Sequence, residues 1–176
     1  IGCRFPGEAY GPDAYWGLLA GGRDAIPEIP PDRWDADEYY DPDPLAPGRM
    51  SSKWGGFISD VAGFDADFFG ISPREAEAMD PQQRVALRVA WRACEDAGIN
   101  PDELTGHDVG VYLGASVTGY GPDMAQFSEH SGHLLPGTAL SVISGRVAYT
   151  LGLAGPAITV DTSCSSALSA LHLAIQ

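Results

Sequence analysis

The sequence predicts an α/β fold built on a mainly parallel sheet and preceded by a long, irregular N-terminal arm. Three observations carry this. Residues 109–114 read as a central strand, and the short apolar, β-branched run 157–160 reads as a buried strand. The long crossover between them ends in a helical pattern at 138–151, and a connection of that length joins parallel strands, whereas a hairpin needs only a short turn. After the second strand, Ala167, Leu168, Leu171, Ala174 and Ile175 recur at helical spacing. Strand therefore passes into helix through the hydroxyl-rich turn Asp161-Thr162-Ser163-Cys164-Ser165-Ser166.

The bulk composition narrows the function. A length of 176 residues suits one domain with a sizeable core, and 44% hydrophobic against 19% charged residues is a globular composition. Ten Lys and Arg against twenty-four Asp and Glu give a formal charge of -14, which opposes contact with phosphate backbones and anionic lipid. Neither nucleic acid nor a membrane is expected as a partner. No apolar run approaches the ~20 residues that span a bilayer, and the start lacks the charged-then-apolar form of a signal peptide, so a cytoplasmic location is expected. Cys3, Cys94 and Cys164 are odd in number, far apart and without a CxxC pair, which suggests neither a disulfide framework nor a zinc site. The chain opens on Ile1, and its last helical pattern reaches Gln176 with no Gly, Asn or Pro to stop it; a piece of a longer chain, truncated at both ends, is the expectation.

Taken in order, residues 1–56 are rich in Pro, Asp, Gly and Tyr and predict a single short helix over 13–19, with Pro12 before it and Gly21-Gly22 after it. Trp34, Tyr39, Tyr40, Trp54 and Phe57 carry too much apolar area for a solvated tether, so the arm is expected to be ordered and to wrap a larger body. Phe64, Phe68 and Phe69, bracketed by Gly63 and Gly70, form a packing knot. Ser72, Pro73 and Glu75 are a helix start: a hydroxyl cap, a proline at the first position and an early acid. Asp80-Pro81 interrupts that helix and opens another over 81–97, stopped by Gly98. Leu87, Ala90, Trp91 and Cys94 share one face of it, which places Cys94 in the core. Arg84, Arg88 and Arg92 lie four apart on another face, near Glu95 and Asp96, and read as a solvated or interface ridge. Residues 115–137 read as loop with a helical turn at 124–127, and the helix over 138–151 puts Leu140, Ile143, Val147 and Leu151 on one face before Gly152 ends it.

The chemistry concentrates at Cys164. At a helix start the unpaired N–H groups and the positive dipole end favour a thiolate, the nucleophilic form, and the same N–H groups supply half of an oxyanion hole for an attacked carbonyl. The bland alternatives are an inert packing cysteine and, for Ser163, Ser165 and Ser166, ordinary helix caps. A general base is harder to find. His172 lies eight residues further along the same helix, about 12 Å away on its axis. His107 precedes a strand and His130 and His133 sit in the loop, so none has a spacing that fixes it near the thiol. His130 and His133 are three apart but lack a third ligand, and no metal site is expected.

With these residues assembled, the chain resembles the β-ketoacyl synthase (ketosynthase) domain of modular type I polyketide synthases, in the thiolase-like superfamily. The resemblance runs through Gly2-Cys3-Arg4-Phe5-Pro6-Gly7, Asp32-Arg33-Trp34-Asp35, Phe68-Phe69-Gly70-Ile71-Ser72-Pro73-Arg74-Glu75-Ala76, Met79-Asp80-Pro81-Gln82-Gln83-Arg84 and Ser144-Gly145-Arg146-Val147-Ala148-Tyr149. It rests above all on Gly155-Pro156-Ala157 leading to Asp161-Thr162-Ser163-Cys164-Ser165-Ser166. The family pattern more often has alanine where this chain has Ser163.

The resemblance implies that residues 1–176 are a partial ketosynthase domain, most of the N-terminal half of a layered α-β-α-β-α fold. Cys164 would accept an acyl chain from the phosphopantetheine thioester of an acyl carrier protein, its backbone N–H donating into the oxyanion hole. A decarboxylating malonyl-type extender would then condense with that chain to give a β-ketoacyl thioester. No tightly bound cofactor and no metal is implied. Implied partners are the acyl carrier protein, the acyltransferase and other domains of the same multienzyme, and a second copy in a homodimer; the 115–137 loop would border the acyl channel near that interface. The family also uses two histidines and a lysine downstream of the cysteine motif, and none of them is assigned here. Other readings are a non-catalytic structural fragment, a ketosynthase that transfers acyl groups without elongating, and a cysteine hydrolase with an imidazole beside the sulfur. A relative that only decarboxylates would replace the cysteine, commonly by glutamine.

Overall fold

A computed structural model describes residues 1–121 and 131–176, and the chain falls into two units, Ile1–Asp60 and Val61–Gln176. Among the described residues no helix is long and apolar enough to cross a membrane.

In the first unit, strands β1 (Arg4–Phe5) and β2 (Ala9–Tyr10) pair antiparallel across a tight turn. Gly7 has φ +78 there, and a β-carbon on it would stand 2.4 Å from Leu18 Cδ1, so only glycine fits. Leu18 is the buried residue of helix α1 (Pro12–Ala20), which starts at Pro12 and stops at Gly21 as expected. The remainder holds one short helix that the sequence does not announce, α2 (Ala36–Tyr39), capped by the Asp35 carboxylate on the Asp37 N–H at 3.0 Å. Isolated bridges Glu28↔Trp54 and Tyr40↔Met50 order the loops. Trp34 meets Phe57 edge-on at 6.0 Å, and Lys53 lies 4.7 Å over the Tyr40 ring. Lys53 also donates to the Asp37 carboxylate, which raises its pKa above the ordinary lysine value.

In the second unit, the expected helix starts hold. Helix α3 (Pro73–Ala78) is capped by Ser72, whose hydroxyl accepts the Glu75 N–H at 3.2 Å. Helix α4 (Pro81–Asp96) begins where Asp80 accepts the Gln82 N–H at 2.8 Å. The aromatic knot forms: Phe64 stacks on Phe69 at 5.3 Å, and Phe68 meets Trp91 edge-on at 4.7 Å. Ile71, Met79, Leu87, Val147 and Leu151 make the core cluster, with Val111 and Leu113 packed on it. Cys94 departs from expectation and is only half-buried, while Leu87 and Trp91 on the same face belong to or pack against the core cluster. Of the arginine ridge, Arg92 pairs with Glu95 at 3.0 Å, while Arg88 donates to the Gly63 carbonyl at 2.8 Å and so ties α4 to the knot.

Strands β3 (Val111–Gly114) and β4 (Ala157–Val160) pair in parallel, Val111 opposite Ala157 and Gly114 opposite Val160. In this chain β3 is half-buried up to Gly114, and β4, expected to be buried, is exposed in its first half and half-buried in its second. Among the described residues the crossover holds two helices where one was expected. Helix α5 (Ser131–Thr138) occupies positions that read as loop, and the chain becomes extended at Ala139 before α6 (Leu140–Thr150). Residue 130 and the turn expected at 124–127 lie outside the described residues.

The cause of the α5 ending is tertiary. Gln83, buried within α4, donates from Nε2 to the carbonyls of Pro136 and Gly137, both at 2.9 Å. Its Oε1 accepts from Arg146 Nε at 2.7 Å, and Arg146 pairs with Glu75 at 2.6 Å. Gly137 lies so close to α3 that a β-carbon would stand 2.1 Å from the Ala78 carbonyl oxygen. Helix α6 packs on one sheet face, with Thr159 donating to Ser144 Oγ at 2.8 Å. Helix α7 (Ser166–Ala174) takes the other face, so helix, sheet and helix form three layers. Ser166 and Ala170 of α7 are buried, and Leu168, Leu171 and Ile175 are exposed.

Candidate active site

Cys164 lies between β4 and α7, as the sequence predicts, in a single 3₁₀ turn over Ser163–Ser165, and it is exposed. The residue before it, Ser163, has φ +59, a left-handed conformation that side chains resist. The close seat of α7 on the sheet depends on Gly114 at the end of β3, where a β-carbon would stand 2.5 Å from the Ala167 nitrogen.

The hydroxyl-rich turn is stitched to itself. Asp161 Oδ1 accepts the Ser163 N–H at 3.0 Å and the Ser116 hydroxyl at 2.9 Å. The Thr162 N–H donates to Ser166 Oγ at 2.9 Å, and the same hydroxyl donates to the Ser163 carbonyl at 2.7 Å. Ser165 Oγ donates to the Thr162 carbonyl at 2.9 Å. The alternative of ordinary helix caps does not hold for Ser165, whose side chain at the start of α7 makes no cap hydrogen bond. Ser165 and Ser166 tie together the turn that precedes the helix. None of these bonds takes the Cys164 N–H.

No histidine among the described residues is hydrogen-bonded to Cys164. His172 instead lies in the last turn of α7 beside Gln176, 2.9 Å away. His107 serves through its backbone, its carbonyl accepting from Val109 at 2.8 Å and from Ala154 at 2.8 Å. His133 falls in α5. The imidazole that a cysteine hydrolase needs beside its sulfur is thus not supplied by these three. Among the described residues no group of three His, Cys, Asp or Glu side chains is arranged to hold a metal ion. Sequence reasoning placed Asp161 in the turn but missed Ser116 and the bond between the two: the pairing register of β3 and β4, which brings them together, is invisible in local pattern.

Comparison with known proteins gives a consistent picture. The family model described as "Beta-ketoacyl synthase, N-terminal domain" matches residues 1–176. The chain is 58% identical over 177 residues to a phenolphthiocerol/phthiocerol polyketide synthase of Mycobacterium bovis, covering 100% of this chain and 10% of that protein. It is 56% identical over 180 residues to the pikromycin polyketide synthase component PikAIII of Streptomyces venezuelae, covering 100% of this chain and 12% of that protein. Among solved structures, a ketosynthase from module 6 of the bacillaene synthase of Bacillus subtilis 168 superposes with a TM-score of 0.83 at 41% identity, over 98% of this chain and 28% of that one. The oxazolomycin ketosynthase domain OzmH KS7 of Streptomyces albus JA3453 superposes with a TM-score of 0.81 at 41% identity, over 97% of this chain and 30% of that one. The chain therefore spans about a tenth of the curated relatives and under a third of the solved ketosynthases, and its layered α/β arrangement is theirs.

Proposed function

Because the chain belongs to the β-ketoacyl synthase family, we propose that Cys164 is the acyl-accepting nucleophile of a polyketide chain-extending condensation. The observation that carries this is the position of the thiol on a turn with a left-handed residue, between β4 and the start of α7. A helix start offers dipole and N–H donors to the charge that develops.

The reaction has two parts. The Cys164 thiolate attacks the thioester carbonyl of an acyl chain delivered on the phosphopantetheine arm of an acyl carrier protein. The carbonyl oxygen gains the charge and is stabilised by the Cys164 N–H; the bond to the phosphopantetheine sulfur then breaks, and that thiolate leaves and takes up a proton. A malonyl-type extender next loses carbon dioxide, and the resulting carbanion attacks the Cys164-bound acyl carbonyl. A carbon–carbon bond forms, the Cys164 thiolate departs, and the product is a β-ketoacyl thioester. Phosphopantetheine arrives with the substrate and no tightly bound cofactor takes part. Partners of the reaction are the carrier protein, the acyltransferase and other domains of a cytoplasmic multienzyme, with a second copy in a homodimer. The proton handling belongs to the two histidines and the lysine of the family pattern, and none of His107, His133 or His172 takes those roles.

The test is loading with a radiolabelled acyl thioester. Label is expected on the wild-type protein and absent from Cys164→Ala, whose fold, read by circular dichroism, is retained; label remaining on Cys164→Ala refutes the assignment.

A further inference from the structure

The run Asp80-Pro81-Gln82 carries polar groups that packing alone does not need, and they lead to the nucleophile. Asp80, buried at 5% exposure, accepts the Thr118 hydroxyl at 2.7 Å and the Gln82 N–H at 2.8 Å. Gln82 Nε2 donates to the Ser116 carbonyl at 3.0 Å. Ala115 donates its N–H to the Val160 carbonyl at 3.1 Å, which carries the parallel ladder one bond past the strands. Ser116 is thereby clamped between the start of α4 and the end of β4. Its hydroxyl then donates to Asp161 Oδ1, and that same oxygen accepts the N–H of Ser163. Ser163 is the left-handed residue immediately before Cys164.

We propose that Asp161 is a positioning residue for Cys164, held in place by Ser116 and, through Gln82, by the start of α4. This deepens the proposed function and rests on the reading of Cys164 as acyl acceptor. An acceptor oxygen that takes both the Ser163 N–H and the Ser116 hydroxyl fixes the direction in which the chain leaves β4. It thereby fixes where the Cys164 sulfur and N–H point relative to an incoming carbonyl. Small misplacements matter in acyl transfer, because attack and oxyanion stabilisation must meet at one carbonyl.

The experiment compares two reactions of Cys164 in the full-length protein: acylation by a radiolabelled acetyl N-acetylcysteamine thioester, and alkylation by iodoacetamide. Alkylation needs the thiolate but no oxyanion hole. Asp161→Ala is expected to slow acylation roughly 10–100-fold while alkylation changes by less than about twofold. Asp161→Asn keeps an acceptor oxygen in the same place and is expected to restore acylation to within about threefold of wild type. Ser116→Ala removes one of the two donors and is expected to slow acylation less than Asp161→Ala. The inference is overturned if Asp161→Ala acylates at the wild-type rate, if acylation and alkylation fall together, or if Asp161→Asn is as slow as Asp161→Ala. A wild-type protein that is alkylated but not acylated overturns the proposed function and this inference with it, an outcome distinct from the other three.

Discussion

Gly114, at the end of β3, lies against the backbone of Ala167 in the first turn of α7, where a β-carbon would stand 2.5 Å from the Ala167 nitrogen and 2.8 Å from its α-carbon. Both contacts are backbone, so no side chain can swing aside to relieve them. Gly114→Ala must push α7 off the sheet, and α7 begins two residues after Cys164. Overpacking of this kind costs about 1–3 kcal/mol. Urea denaturation is expected to show that loss together with slower acyl loading; stability unchanged within about 0.5 kcal/mol would mean that the helix is not seated as described.

The Gln83 side chain satisfies two carbonyls and one arginine at once, all at 2.7 to 2.9 Å. Gln83→Leu fills the same space and leaves the Pro136 and Gly137 carbonyls and Arg146 Nε without that partner. The Gly137 carbonyl keeps the Asp80 N–H at 2.8 Å, so two groups are left unsatisfied; at about 1–3 kcal/mol each, a loss of roughly 2–6 kcal/mol is expected in the same denaturation assay. A variant as stable as wild type would show that water replaces the amide.

Ser163 carries a left-handed backbone, and its side-chain oxygen enters none of the hydrogen bonds that tie the turn together. For a residue with a β-carbon that conformation costs about 1–2 kcal/mol, against roughly 0.5–1 kcal/mol of extra unfolded-state entropy for glycine. Ser163→Gly is therefore expected to stabilise the protein by about 0.5–1 kcal/mol, whereas Ser163→Ala leaves stability unchanged within about 0.5 kcal/mol. A destabilised Ser163→Gly, measured by thermal melting, would contradict the strained turn.

These three positions also mark what local sequence could reveal. The starts of α3 and α4 were legible because Ser72, Pro73, Asp80 and Pro81 act within one turn of themselves. The turn holding Cys164 was legible for a similar reason, an apolar strand running into a helical repeat. Helix α5 was not: Gly132, Pro136 and Gly137 argue for a loop, and the groups that receive its last carbonyls belong to Gln83, 53 and 54 residues away. The bond between Ser116 and Asp161 escaped notice because the two are 45 residues apart and meet only when β3 and β4 pair in one particular register. The exposure of Leu168, Leu171 and Ile175 likewise depends on which face of α7 the sheet covers, and apolar spacing does not distinguish the two.

Every step proposed for this chain depends on Cys164 accepting the acyl group. The most direct measurement incubates the full-length protein with a carrier protein bearing an acyl-phosphopantetheine and locates the added mass by peptide mapping. The acyl mass is expected on the peptide that contains Cys164, released by hydroxylamine as a thioester is, with Cys3 and Cys94 unmodified. An acyl group on any other residue, or a wild-type protein that takes up none, would contradict it.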